Sequence, residues 1–188
     1  AQHGLFSVLS GLLKRGDLLL TESLTYMPVL AMAERLGLHT AQVEMDDGGI
    51  LPESVEAVCK TARPRALYIT PTLHAPTTVT LSDDRRVALA EIALRHDLLL
   101  IEDDVFGPLK PDRPAPIATR APEKTLYITS LSKAVAPGLR VGFVRAPAWR
   151  APALRHAVNL TVWMTPPLTL EVASRLIHNG TAMTLAQQ

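Results

Sequence analysis

The residues Ser130-Leu131-Ser132-Lys133-Ala134-Val135-Ala136-Pro137-Gly138-Leu139-Arg140-Val141-Gly142 set one amine between two hydroxyls, with a guanidinium a short way downstream. An amine can condense with a carbonyl, and hydroxyls and a guanidinium can hold a phosphate, so the set suits a phosphorylated carbonyl cofactor. Two further clusters carry polar side chains at the ends of apolar runs: Glu102-Asp103-Asp104-Val105-Phe106 and Pro71-Thr72-Leu73-His74-Ala75-Pro76-Thr77-Thr78. Taken singly, each residue has a plain structural alternative. On its own Lys133 reads as a solvated surface lysine, Asp103 as a strand-end cap, Arg140 as an ion-pair partner and Tyr26 as a core aromatic. His74 is better read as a histidine satisfied within its own loop than as a ligand. The remaining histidines, 3, 39, 96, 156 and 178, have no metal-ligand spacing, and no metal site is assigned.

The elements that must position these clusters alternate between strand-like and helix-like segments, the pattern of a mainly parallel α/β sheet flanked by helices. A helix from about Gly4 to Lys14 ends at Gly16, and residues 17–22 follow as a buried strand. A second helix, near Met27 to Leu36, stops at Gly37, and Thr40 to Met45 alternates as a short strand. Pro52 opens a helix through Lys60, with Val55, Val58 and Cys59 on one face and Cys59 in the core. Residues 66–70 form the next strand. Ser82 caps a helix to His96, with Asp83 and Asp84 at its positive end and Val87, Ala90 and Leu94 as its buried stripe. Strands at 98–101, 125–129 and 141–144 complete the series. Each polar cluster therefore falls beyond a strand's carboxyl end, where open α/β sheets bind ligands.

Composition narrows the classes. One domain is the expectation for 188 residues with 47% hydrophobic content, and the fifteen prolines punctuate its elements instead of forming a linker. With 19 Lys and Arg against 18 Asp and Glu, the net charge of +1 provides no basic field for nucleic acid or an anionic membrane. The single cysteine excludes an internal disulfide, and neither a signal peptide nor a membrane-spanning run is visible, so a cytoplasmic location is expected. No dinucleotide-binding glycine fingerprint, Walker loop or serine-nucleophile elbow occurs. The chain starts within a helical pattern without Met and stops just after another helical stretch, so missing segments are expected on both sides.

In combination the clusters resemble class I/II, fold-type I pyridoxal-phosphate aminotransferases. Ser130-x-Ser132-Lys133-x(3)-Pro137-Gly138-Leu139-Arg140-x-Gly142 looks like the family's lysine motif. Glu102-Asp103-Asp104 resembles its acidic strand end, and Pro71-Thr72-x-His74-x-Pro76-Thr77 its proline-threonine loop. Ala1-Gln2 and Leu24-Thr25-Tyr26 resemble the phosphate-anchor turn and the ring-stacking segment; all five matches occur in family order, from residue 1 to about Pro147. The resemblance implies residues 1–188 as a partial cofactor-binding large domain, without the N-terminal segment and the C-terminal small domain. It implies pyridoxal 5'-phosphate as cofactor, Lys133 as its Schiff-base lysine and proton-transfer group, and Asp103 against the pyridine nitrogen. Ser130, Ser132, Arg140 and the backbone amides of Ala1 and Gln2 would hold the phosphate, and Tyr26 would stack on the ring. It further implies a homodimer, and an amino acid and a 2-oxo acid as substrates.

Two positions depart from the family pattern. Ala75 stands where Asn is usual and Phe106 where Tyr is usual, so two donors toward the cofactor's phenolic oxygen are absent, and binding is expected to survive better than turnover. The 73–78 segment and the lysine motif also resemble the aminotransferase-like domain of MocR-type regulators of the GntR family. That resemblance offers a second reading: an amino-acid-like effector is sensed here, while DNA contact belongs to a preceding winged helix-turn-helix. A third is a degenerate domain that keeps the fold without the cofactor.

Overall fold

The computed structural model describes residues 1–188. Its strands are β1 (Leu18–Glu22), β2 (His39–Val43), β3 (Met45–Asp46), β4 (Gly49–Ile50), β5 (Ala66–Ile69), β6 (Leu99–Asp103), β7 (Thr125–Ser130) and β8 (Gly142–Arg145). Its helices are α1 (Gln2–Leu12), α2 (Met27–Leu36), α3 (Pro52–Ala62), α4 (Asp83–Arg95), α5 (Ala151–Thr161), α6 (Pro167–His178) and α7 (Thr181–Ala186). Six strands form one sheet in the order β2-β1-β5-β6-β7-β8, parallel except for β8, which runs antiparallel to β7. β3 and β4 form a separate small hairpin. The mainly parallel architecture expected from the sequence is therefore present.

Alternate residues of the central strands feed two cores. Leu20, Leu67, Ile69, Leu98 and Leu100 join Val55, Cys59 and Leu89 on the face covered by α3 and α4. Leu19, Ala66, Tyr68, Leu99, Ile101, Leu126 and Ile128 join Leu5, Val8, Leu9, Val29 and Ala33 on the face covered by α1 and α2. The two-residue period of a strand produces this division, and it explains why these strands read as continuous apolar runs. Cys59 packs in the first core, and burial pushes its thiol up to about 11.

Local signals account for several boundaries. α2 ends at Gly37, whose φ of 69° lies in the left-handed region that glycine adopts without a Cβ penalty. α4 begins after Ser82, whose side chain accepts from the Arg85 amide, a cap that contributes about 1 kcal/mol. Elsewhere the expected bounds shift. α1 runs from Gln2 to Leu12, earlier than expected, and the 40–45 strand is split: β2 ends at Val43 and Met45 pairs instead with Ile50.

The buried stripe of α4 is also corrected. Arg86, Leu89, Ala90, Ile92 and Ala93 face inward, whereas Leu94 is 54% exposed and Val87 only half-buried. Rotating the helix this way buries the guanidinium of Arg86, which donates to the carbonyls of Leu81 (3.1 Å) and Pro71 (2.8 Å) and to Thr72 Oγ1 (3.1 Å). Those bonds, with Glu102 at 3.8 Å, let a cation occupy a position that hydropathy alone assigns to the surface. After Pro147 three helices close the chain. α5 packs on α1, while α6 and α7 place Ala173 and Ala182 against Leu131 and Val141 beside the lysine loop. They leave Leu160, Trp163, Met164 and Leu168 more than half exposed. No helix is long and apolar enough to cross a membrane.

Candidate functional site

The chain moves from β1 to the β2 edge and then returns to the other side of β1 with β5, which makes the β1–β5 boundary the point where strand order reverses. Side chains beyond strand carboxyl ends can converge there without displacing sheet hydrogen bonds. A cavity of about 330 Å³ lies at this end, lined by Tyr26, Thr70, Asp103 and Ser130, each within a few residues of a different strand's carboxyl end. Ala1, Gln2, Ser132, Lys133 and Arg140 line it too, as do Tyr68, Ala75, Val105, Phe106 and Pro137. All eight candidate site residues from the sequence thus border one cavity. A wider space of about 500 Å³, bordered by His3, Arg145 and Arg155, lies where α1, β8 and α5 meet and includes no strand-end carboxylate.

Strand parity sorts the acidic run. Asp103 shares the face of Leu99 and Ile101, which brings it beside Tyr68 on β5 and Ser130 on β7. Glu102 falls on the opposite face, where its carboxylate accepts from the amides of Ile117 (2.8 Å) and Ala118 (2.9 Å) and pairs with Arg86. Burial pushes Glu102 up to about 7, against the pull of those amides and of the Arg86 charge. Asp104, past the strand, accepts from Tyr127 Oη (2.8 Å) and Arg113 Nε (3.2 Å). Of the three acids only Asp103 reaches the cavity.

Asp103 is 7% exposed, and burial raises its carboxyl to about 6, with the Tyr68 hydroxyl pulling the other way. Tyr68 Oη donates to Asp103 Oδ2 at 2.9 Å, while Oδ1 is buried and has no hydrogen-bond partner. A buried carboxylate oxygen left single costs stability unless a ligand supplies its donor.

The opposite end of the cavity gathers donors. α1 begins there with no side-chain cap, so its first backbone N–H groups remain available, and the helix end carries partial positive charge. Gly142 permits the approach: a Cβ at that position would collide with the Ala1 backbone nitrogen and press on the Thr129 carbonyl. Ser130 is buried and Ser132 half-buried. Arg140 is exposed and in no salt bridge, and its φ of 53° places it in the left-handed region, at a cost of about 1–2 kcal/mol for a residue with a Cβ. Lys133 is likewise in no salt bridge; its Nζ sits 5.6 Å from the centroid of the Phe106 ring. Amine, carboxylate and an anion-binding corner therefore surround one volume, a set able to hold an elongated ligand with an anionic end, a carbonyl and a basic nitrogen.

His74 belongs to the wall and not to the lining. It is 1% exposed, with Nδ1 against Thr77 Oγ1 (2.8 Å) and Nε2 against the Leu24 carbonyl (3.0 Å) and Glu22 (3.4 Å). Burial lowers its proton affinity, but Glu22 more than compensates and the net shift is upward. Glu22 Oε2 also accepts from the amide and hydroxyl of Thr70, both at 3.0 Å, which ties the ends of β1 and β5 together beneath the cavity. Tyr68 and Thr70 carried no site assignment from the sequence, and Val105 and Pro137 stood within its quoted clusters without a role of their own. Tyr68 and Thr70 lie in a run whose polar groups look incidental until the two-residue period is aligned with that of β6.

The family model described as aminotransferase class I and II matches residues 2–180. The chain is 30% identical over 179 residues to the uncharacterised HTH-type transcriptional regulator YdeF of Bacillus subtilis, covering 95% of this chain and 39% of that protein. It is 32% identical over 169 residues to an aromatic amino acid aminotransferase of Schizosaccharomyces pombe, covering 75% and 36% respectively. It also superposes on the crystal structure of LysN, an α-aminoadipate aminotransferase of Thermus thermophilus complexed with N-(5'-phosphopyridoxyl)-L-leucine. That match has a TM-score of 0.91 and 27% identity over 98% of this chain and 49% of that one. The chain spans less than half the length of each of these three proteins.

Proposed function

The chain belongs to the aminotransferase class I and II family, and on that premise we propose that residues 1–188 form the cofactor-binding part of a pyridoxal-phosphate-dependent aminotransferase. The reaction is amino-group transfer between an amino acid and a 2-oxo acid. The observation that carries this reading is the bordering of one cavity by Lys133 and Arg140, both from the loop after β7, and by Asp103 from the end of β6. The residues fit the cofactor by an independent criterion. Asp103 Oδ1 is a buried carboxylate oxygen with no protein partner, as a ligand's N–H would require, and the uncapped start of α1 lies beside Ser130, Ser132 and Arg140, as a phosphate would require.

When bound, pyridoxal phosphate supplies an electron-withdrawing ring conjugated to the substrate nitrogen, which stabilises negative charge at the substrate Cα. Lys133 would hold the cofactor covalently through Nζ. Once released, that amine takes the proton from the substrate Cα and redelivers it, a short transfer suited to a flexible side chain with a titratable end. Asp103, as a carboxylate, favours a proton on the ring nitrogen. Ser130, Ser132, Arg140 and the first amides of α1 orient the anionic end, and Tyr26 supplies an aromatic wall. A homodimer is part of this proposal, and the exposed Leu160, Trp163 and Leu168 supply apolar surface suited to it.

A second reading is favoured by specific observations. YdeF, YisV and YdfD of Bacillus subtilis are 30–34% identical to this chain and are described as HTH-type transcriptional regulators. Ala75 and Phe106, without side-chain donors, line the cavity. In this reading the same pocket senses an amino-acid-like effector with little turnover, and DNA is bound by another part of the full-length protein.

The test is an absorption spectrum of the full-length protein with pyridoxal phosphate. A visible band from the lysine-linked cofactor is expected in the wild type and absent in Lys133→Ala. A band unchanged in Lys133→Ala refutes the lysine assignment. Candidate amino acids then separate the readings: progressive loss of the band with 2-oxo acid release indicates transfer, and a saturable spectral shift without product indicates sensing.

A further inference from the structure

Tyr68 lies on β5, with Ile101 as its register partner on β6, and its side chain extends toward the carboxyl end of the neighbouring strand. It is completely buried, and its hydroxyl donates to Asp103 Oδ2 at 2.9 Å. Burial first, then the Asp103 charge, raises the phenol well above its usual range, which keeps the hydroxyl proton available as a donor beside the carboxylate. A buried hydroxyl needs one partner; an apolar residue at this position would need none. The bond therefore leaves Asp103 with one satisfied oxygen and one single oxygen, Oδ1, in a residue that lines the cavity.

We propose that Tyr68 is the positioning residue for Asp103: by occupying Oδ2 from the adjacent strand, it leaves Oδ1 as the sole carboxylate oxygen for the cofactor's ring nitrogen and keeps the shared proton on that nitrogen. This rests on the pyridoxal-phosphate reading above. A carboxylate and a pyridine nitrogen compete for a single proton, and a buried carboxylate without donors is a strong competitor, because burial disfavours its charge. A donated hydroxyl stabilises the anion and weakens its hold on the proton. Loss of a hydrogen bond to a charged group moves such a carboxyl's midpoint by about one to two pH units. A tyrosine acting only as core filling would affect stability and leave the carboxyl's midpoint and the ring nitrogen's proton unchanged.

Two signals test this in the full-length protein: the carboxyl titration of ¹³C-labelled Asp103 without cofactor, and the ¹⁵N signal of ring-labelled pyridoxal phosphate when bound. In Tyr68→Phe the Asp103 midpoint is expected to rise by about one to two pH units. The bound ¹⁵N signal should move from the pyridinium toward the neutral-pyridine position. Should Tyr68→Phe fail to fold, 3,5-difluorotyrosine at position 68 keeps the ring, strengthens the donor and is expected to shift the Asp103 midpoint downward. A bound ¹⁵N signal and an Asp103 midpoint that ignore both replacements overturn this proposal alone. A wild type that yields only the free-cofactor signal overturns the pyridoxal-phosphate reading and this one with it.

Discussion

Replacing Arg86 with Met keeps most of the apolar stem and removes the charge, so it isolates what the buried guanidinium does. In the structure that group bridges the carbonyls of Leu81 and Pro71, Thr72 Oγ1 and the carboxylate of Glu102, all in the wall behind the proline-threonine loop. Breaking a buried pair by removing one partner costs about 3–5 kcal/mol, because the other charge stays desolvated. For a chain of this size that is a fall in melting temperature of roughly 10 °C. The loss should depend on pH with a definite sign. Glu102 is held at about 7 in the folded protein against an ordinary 4.5, so the folded state binds a proton that the unfolded chain has already released. Its favourable contribution is complete below about pH 4.5 and is lost as pH rises through 7. Without the Arg86 charge, which lowers that value, the folded midpoint moves higher still. The deficit of Arg86→Met is therefore widest near pH 8 and narrows toward pH 5, where Glu102 is neutral. Urea denaturation of wild type and variant at the two pH values measures this, and Arg86→Met/Glu102→Gln should recover part of the loss at pH 8. An equal deficit at both pH values, or one below about 1 kcal/mol at pH 8, refutes the account of a cation held in place for a buried carboxylate.

Other consequences concern the cavity. Asp103→Ala should slow the first half-reaction with an amino acid by roughly a hundred- to a thousandfold while weakening cofactor binding much less, because a group that stabilises developing charge acts mainly in the transition state; stopped-flow absorbance against equilibrium titration separates the two, and equal activity in the variant defeats the ring-nitrogen assignment. Gly142→Ala should displace the start of α1 and weaken binding of pyridoxal phosphate by about ten- to a hundredfold, the loss of one charge-assisted hydrogen bond, with little change for pyridoxal, which has no phosphate. Equal losses for both ligands, read by fluorescence titration, would mean that α1 does not hold the anionic end.

Much of the fold was legible locally because its signals act between neighbours in the chain. Gly37 stops α2, Ser82 starts α4, and apolar runs mark β1, β5, β6 and β7; the order of the lysine, acidic and proline-threonine clusters was also written in the sequence. The antiparallel direction of β8 was not, since an apolar run marks a strand without marking the direction in which it joins its neighbour. The rotation of α4 was misread because hydropathy counts Arg86 as polar, and only carbonyls and a carboxylate brought from β6 and the 71–81 loop make its burial affordable.

The sequence by itself placed an amine, two hydroxyls and a guanidinium in one cluster at Ser130, Ser132, Lys133 and Arg140, and the resemblance to class I/II aminotransferases added Asp103 to the set. Tertiary structure decided what each acidic group faces. Asp103 meets Tyr68 and the cavity while adjacent Glu102 meets Arg86 and two amides, because neighbouring residues on a strand point to opposite faces. Which face becomes cavity and which becomes core depends on sheet order and on the helices covering each side, and those are set by contacts between residues far apart in the chain, where packing and not local spacing determines the partner.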